Sequence, residues 1–227
     1  MLKHLAIIPD GNRRYAKKNN LSLEEAYGLA IEKTGEIARW CKEEGIEELT
    51  LWGFSTENWK RSKEETRTFF GTLKAKANLA LKSREAEKEV MENGVKVKII
   101  GNTAKLPKAI RRLAKEIEGR TKHNNKRSMN ILINYGGREE ILNAVNLLLS
   151  EGKKKVTEAE FKKKLMLTSE PDLIIRTSGE QRTSGFLPFQ SDYSELYFSK
   201  KLFPEFGKKD FKIAIEEFRQ RKRRFGE

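Results

Sequence analysis

Five short apolar runs punctuate an otherwise strongly polar chain: HLAIIP (4–9), LTLWGF (49–54), VKVKII (95–100), MNILIN (129–134) and DLIIRT (172–177). Runs of this length, rich in Ile, Val and Leu, predict strands that are buried on both faces, as in parallel sheets. Between them, apolar residues recur at spacings of three and four, the period of a helix with one buried face. The first such segment spans 23–44, with Ala26, Ala30, Ile37 and Cys41 on its apolar stripe, Ser22 and Glu25 as a capping box and Gly45 as its stop. A longer helix is predicted over 63–92, and others over 107–119, 138–151, 157–166 and 209–224. Strands alternating with helices, uninterrupted by a repeat or a flexible linker, predict one α/β domain: a central, mostly parallel sheet flanked by helices.

Composition narrows the partners. The 227 residues are enough for one sizeable core, and 37% of them are hydrophobic. A formal net charge of +14 favours an anionic partner: a phosphate ester, a nucleic acid or a lipid headgroup. A lone cysteine, Cys41, excludes an internal disulfide, and two histidines are too few for a structural zinc cluster, so any metal should be a hard, oxygen-liganded ion. No apolar stretch approaches the roughly 20 residues of a membrane-spanning helix. A cytoplasmic protein is expected, and the basic runs at 153–155, 162–164 and 219–224 leave peripheral contact with an anionic membrane surface open. Those runs fall on predicted helices or the charged connection at 151–155, away from the strand ends, and lack interleaved aromatics, so the rival reading, a nucleic-acid-binding module, is not expected. The richness in Lys and Glu hints at a thermophile.

The chemistry sits just past the strands, where open parallel sheets bind ligands. Asp10-Gly11-Asn12-Arg13-Arg14 follows the first run, and Ser55 to Arg61 follows the second, including Asn58 and Trp59. Tyr135-Gly136-Gly137-Arg138 follows the fourth; the fifth carries Arg176 and leads into Ser178 to Ser184, which holds Arg182. Glycine admits an anion close to the backbone, a helix start offers free N–H groups, and a guanidinium binds phosphate oxygens in bidentate fashion. Such loops suit a pair of phosphate groups, with Asp10 as an oxygen ligand for Mg²⁺ held jointly with a diphosphate. Alone, Asp10-Gly11-Asn12 and Tyr135-Gly136-Gly137 read more readily as turns, and Arg176 and Arg182 equally well as solvated charges; their recurrence after four strands is what favours a site.

These segments, in order, resemble the cis-prenyltransferases, the polyprenyl diphosphate synthases: HLAIIPDGNRRYAKK, LTLWGFSTENWKRSKEE, VKVKIIGNTAKLP, MNILINYGGREEI, PDLIIRTSGEQRTSGFLPFQSDYSELYF and a terminal RKRRFGE. The DGNRRYA spelling is similar to archaeal and eukaryotic members. The resemblance implies a homodimer that joins isopentenyl diphosphate to an allylic prenyl diphosphate, with Mg²⁺ as cofactor and a new cis double bond in the product. It places Asp10 at the metal and the leaving diphosphate, with Gly11, Asn12, Arg13 and Arg14 around that diphosphate. It places Asn58 near the reacting ends with Trp59 and Arg61 beside it, Arg176, Arg182 and Ser184 at isopentenyl diphosphate, and Glu195 as a second acidic ligand of the metal. Arg224 and Gly226 would reach towards the partner's site.

Departures from the family pattern concern substrate choice. Tyr27, expected at the substrate as a hydrogen-bond donor, stands where many relatives have histidine, Leu23 where an arginine is common, and Gly185, Pro188, Phe189 and Asp192 replace residues that are commonly Asn, Leu, Trp and Ala. An acceptor other than isopentenyl diphosphate, or a non-catalytic partner subunit, would each keep the fold. On the long helix, Phe69, Phe70, Leu73, Ala77, Ala80 and Leu81 share one side; the resemblance would make them the wall of a product tunnel, whereas periodicity alone makes them ordinary core.

Overall fold

The computed structural model describes residues 1–221 of the chain. In chain order its elements are β1 (His4–Ile8), α1 (Asn12–Lys18), α2 (Leu23–Glu43), β2 (Glu48–Ser55), α3 (Lys63–Lys82), α4 (Arg84–Glu92), β3 (Val95–Ile100) and α5 (Lys108–Thr121). β4 (Arg127–Tyr135), α6 (Gly137–Ser150), α7 (Glu158–Lys162), β5 (Leu173–Arg176), β6 (Glu195–Phe198) and α8 (Lys208–Gln220) complete it. The strands form one sheet in the order β3-β4-β2-β1-β5-β6, and every pairing is parallel.

Alternation of side chains divides the core between the two faces of this sheet. Leu5, Ile7, Leu49, Leu51 and Ile175 pack under α2 and α8, against Ile37, Trp40, Phe211 and Ile215. Ala6, Ile8, Trp52, Leu132 and Ile174 face the other way, onto Leu167, Phe186 and Leu187. In β2 the register shifts between Trp52 and Phe54, a bulge at Gly53 that turns Phe54 to the first face. There Phe54 joins Phe70, Leu106, Ile110 and Ile133 beneath α3 and α5.

All five expected strands are present; the helix expected over 157–166 is only Glu158–Lys162, and three further features differ from the expectation. β6 carries no sequence signal because its four residues are only half-buried at the sheet edge. α1 lies where the sequence suggests only a turn; its seven residues bury only Ala16, too little for an apolar stripe to show. The predicted 63–92 helix is two helices, because Ser83 adopts extended geometry and its hydroxyl accepts from the Ala86 N–H at 3.2 Å, closing α3 and capping α4.

Candidate active site

The strand order itself locates the site. The chain leaves β1 towards β2 on one side, while β5 returns on the other, so β1 and β5 flank the point where the order reverses, with Ile8 opposite Arg176. Loops leaving two such strands diverge and open a crevice. Asp10 follows β1, and Arg176 closes β5.

Their side chains meet there. The Arg176 Nη2 donates to Asp10 Oδ2 at 2.7 Å, and its Nη1 donates to the Arg182 carbonyl at 2.6 Å and to Ser184 Oγ at 2.8 Å. The Arg176 side chain is 7% exposed and the Asp10 side chain 32%, so the guanidinium is buried while the carboxylate keeps an open side. Burial alone would push the Asp10 carboxyl up; the hydrogen bond and charge of Arg176 outweigh it and hold the group below its ordinary range. Gly11 lends its N–H to Asp10 Oδ1 at 2.7 Å and sits at φ +103°, where an added Cβ would lie 2.8 Å from Leu202, so only glycine fits this turn. Ser178 (φ +84°) and Ser184 (φ +53°) hold left-handed backbone without being glycine, strain concentrated around the same arginine.

Thr177, which the sequence did not single out, fixes the loop. Its buried hydroxyl accepts from the Asp10 N–H at 2.9 Å and donates to the Asp10 carbonyl at 2.8 Å, and Phe203 N–H donates to that carbonyl at 3.0 Å. A threonine at the end of an apolar run carries no local signal for this task, since its partner is 167 residues away.

Two cavities meet at Asp10. One, about 600 Å³, is bordered by Arg13, Arg14, Lys17, Arg61, Glu180 and Arg182. Glu180, also unrecognised in the sequence, accepts from Arg182 at 2.6 Å and lies 3.4 Å from Arg14, holding both guanidiniums at the rim. The other, about 340 Å³, runs inward past Ala30, Ile31, Leu51, Phe69, Leu73 and Ile133. Asp10, Asn12, Tyr27 and Arg61 border both, so a polar head and an apolar chain of one molecule could occupy the pair together. Asn58 lines the apolar cavity beside Ser55; its Oδ1 accepts from the Ser55 N–H at 3.0 Å, which fixes the amide at the mouth. Trp59 donates from Nε1 to Asn134 Oδ1 at 2.7 Å and packs edge-on against Phe54, behind the cavity wall rather than in it.

The remaining expectations divide. Glu195 does not join Asp10 within one chain. Pairing puts it opposite Leu173, at the amino end of β5, whereas Arg176 and Asp10 lie at the carboxyl end. Five residues of strand and loop, about 16 Å, separate the two levels. Its carboxylate accepts from Arg221 at 2.8 Å instead. The Tyr135-Gly136-Gly137 turn is a packing site rather than an anion cradle: a Cβ on Gly137 would lie 2.1 Å from Pro188, and one on Gly136 would lie 2.4 Å from Thr56. Of the six α3 residues, Phe69 and Leu73 line the apolar cavity. Phe70 is core, and Ala77, Ala80 and Leu81 face α4 and α5. Arg224 and Gly226 lie outside the described residues.

As to metal, no group of three or more His, Cys, Asp and Glu side chains gathers among the described residues. Among the described residues Asp10 is the carboxylate that lines both cavities. That donor set fits Mg²⁺ bound through one carboxylate and substrate phosphate oxygens, not a cage of protein ligands.

Fold and site together define an α/β enzyme with a basic head pocket opening into an apolar chain pocket. The family model for undecaprenyl diphosphate synthases matches residues 8–226. An isoprenyl transferase of Thermotoga maritima is 44% identical, over 99% of this chain and 96% of its own length. A tritrans,polycis-undecaprenyl-diphosphate synthase (geranylgeranyl-diphosphate specific) of Thermoplasma acidophilum is 42% identical, over 99% and 88%. The crystal structure of lavandulyl diphosphate synthase from Lavandula x intermedia, in complex with dimethylallyl diphosphate, superposes with a TM-score of 0.91 at 31% identity, covering 100% of this chain and 98% of that one. The chain belongs to the undecaprenyl diphosphate synthase family of prenyltransferases.

Proposed function

We propose that the protein elongates an allylic prenyl diphosphate with isopentenyl diphosphate, forming cis double bonds, with Mg²⁺ as cofactor. The observation that carries this reading is the junction at Asp10 of a cationic cavity and an apolar one. Bound Mg²⁺ would neutralise diphosphate charge as the allylic carbon–oxygen bond breaks. The chain does the rest. Arg13, Arg14 and the N–H groups at the start of α1 receive the leaving diphosphate, whose charge grows in the transition state. Arg176, anchored by Asp10, Ser184 and the Arg182 carbonyl, presents the second diphosphate at a fixed angle. Asn58 and Tyr27 border the space where the two carbon ends meet, and the apolar wall excludes water from the allylic cation. The proton lost from isopentenyl diphosphate leaves to a diphosphate oxygen, so no protein nucleophile is needed.

Purified protein incubated with Mg²⁺, labelled isopentenyl diphosphate and a panel of allylic diphosphates should yield elongated products. Product formed from the allylic diphosphates with no isopentenyl label incorporated would favour another acceptor, which the unusual Gly185, Pro188, Phe189 and Asp192 allow. No helix among the described residues is long and apolar enough to cross a membrane. A homodimer is supported by an unpartnered stripe on α6, where Leu142 and Leu149 are 62% and 63% exposed and Val145 lies between them. Light scattering should give twice the chain mass, and Leu142→Glu with Leu149→Glu should reduce it to one.

A further inference from the structure

At the junction of the two cavities, one carboxylate outside the family-derived site residues gathers three of those residues. Glu65, in the first turn of α3, is 12% exposed. Its Oε1 accepts from the Tyr27 hydroxyl at 2.9 Å and from Arg61 Nη1 at 3.1 Å, while Arg61 Nη1 also donates to the Tyr27 hydroxyl at 3.3 Å. Arg13, from the diphosphate side, approaches Oε2 at 3.8 Å. The Tyr27 ring meets Phe69 edge to face at 5.3 Å, so the same tyrosine touches the head-group node and the apolar wall. Three elements, α1, α2 and the segment entering α3, are thus referenced to one anion.

Resting on the reading above, we infer that Glu65 is a positioning residue: it presets Arg61 and Tyr27 at the boundary between diphosphate and hydrocarbon, fixing how far the head can advance. The alternative is a spare counter-ion that merely lowers the positive charge of the pocket. The two roles differ in sign. A counter-ion competes with diphosphate, so its removal should tighten anion binding. A positioning group pre-orients the donors, so its removal should weaken anion binding although the pocket becomes more positive. Burial pushes the Tyr27 hydroxyl up to about 12, against the opposing charge of Arg61, so it remains a neutral donor throughout the working pH range.

The test is calorimetric titration of inorganic pyrophosphate with Mg²⁺ into wild type, Glu65→Gln, Tyr27→Phe and the double variant, alongside steady-state kinetics. Positioning predicts that Glu65→Gln weakens pyrophosphate by about tenfold and raises KM for the allylic substrate more than it lowers kcat. Tyr27→Phe should weaken it less, and add little in the Glu65→Gln background because its partner is already changed. Unchanged or tighter binding in Glu65→Gln, or fully additive effects, would overturn the inference. If Glu65→Gln does not fold, Glu65→Asp, which keeps the charge but shortens its reach, should show the same weakening; wild-type affinity there would overturn it too. Failure of the wild type to bind pyrophosphate at all would instead count against the diphosphate reading of the site.

Discussion

The two ends of the central strands both hold polar groups, and they use them in opposite ways. At the amino end, His4 Nε2 lies 2.8 Å from Thr50 Oγ1, and Asn130 Nδ2 donates to Thr50 Oγ1 at 3.0 Å and to Glu48 at 2.6 Å. Ser169 donates to Glu48 at 2.6 Å. This network spans β1, β2 and β4 and is shut off from solvent: His4, Thr50 and Asn130 are buried. At the carboxyl end, Asp10 and Arg176 are also paired, but the carboxylate and its neighbours face two cavities. One end ties its polar groups to one another across the sheet, with His4 Nδ1 and Asn130 Oδ1 left over, and gives register; the other leaves donors and one carboxylate facing a space that a ligand can fill.

Asp10→Ala should break this contrast most strongly. Turnover should fall by about 10³-fold while the fold persists, since the Asp10 side chain is a third exposed and Arg176 keeps the Arg182 carbonyl and Ser184 as partners. Near-normal rate in a folded variant would refute the site. Arg176→Met comes next. Removing the buried partner should lower stability by about 3 kcal/mol in urea unfolding, and activity should drop with it. Its pH dependence carries a sign: Arg176 holds the Asp10 carboxyl down, so the acid limb of the rate profile should move to higher pH in the variant.

At the closed end the sign is set by burial. Burial holds His4 below its ordinary value, against the raising influence of Glu48. The unfolded chain therefore binds the proton more readily, and stability is complete above about pH 6.5 and lost as pH falls towards the folded-state value. Urea midpoints followed from pH 8 to pH 5 should fall in wild type and stay flatter in His4→Gln, whereas equal slopes would show that another group controls the acid limb. The smallest effect belongs to Glu195→Gln, which removes a partly exposed pair with Arg221 and should change unfolding free energy by under about 1 kcal/mol. A larger loss would mean that the amino end of the sheet is less self-contained than its hydrogen bonds imply.

Much of the site was legible because strand ends are legible. Asp10, Arg176 and Ser184 lie at or just beyond apolar runs, and parallel sheets place such residues at one edge. What escaped were residues whose task depends on a distant partner. Glu65 looks like an ordinary first-turn acid of α3, and Glu180 and Thr177 look like loop and strand-end residues. Glu195 differs in another way: it opens β6 rather than following a strand, which within one chain places it at the opposite end of the sheet from Asp10.

The sequence by itself determined the α/β alternation, five of the six strands and the identity of the chemistry, because burial periodicity and strand-end composition are local properties written in neighbouring residues. Only the tertiary structure decided the strand order that opens a crevice between β1 and β5. It also decided the bulge that re-aims Phe54, the division of α3 into cavity wall and core, and the meeting of Arg13, Tyr27 and Arg61 on Glu65. Those follow from which elements pack together, a choice made by the summed burial of the whole chain and not recorded in any one segment.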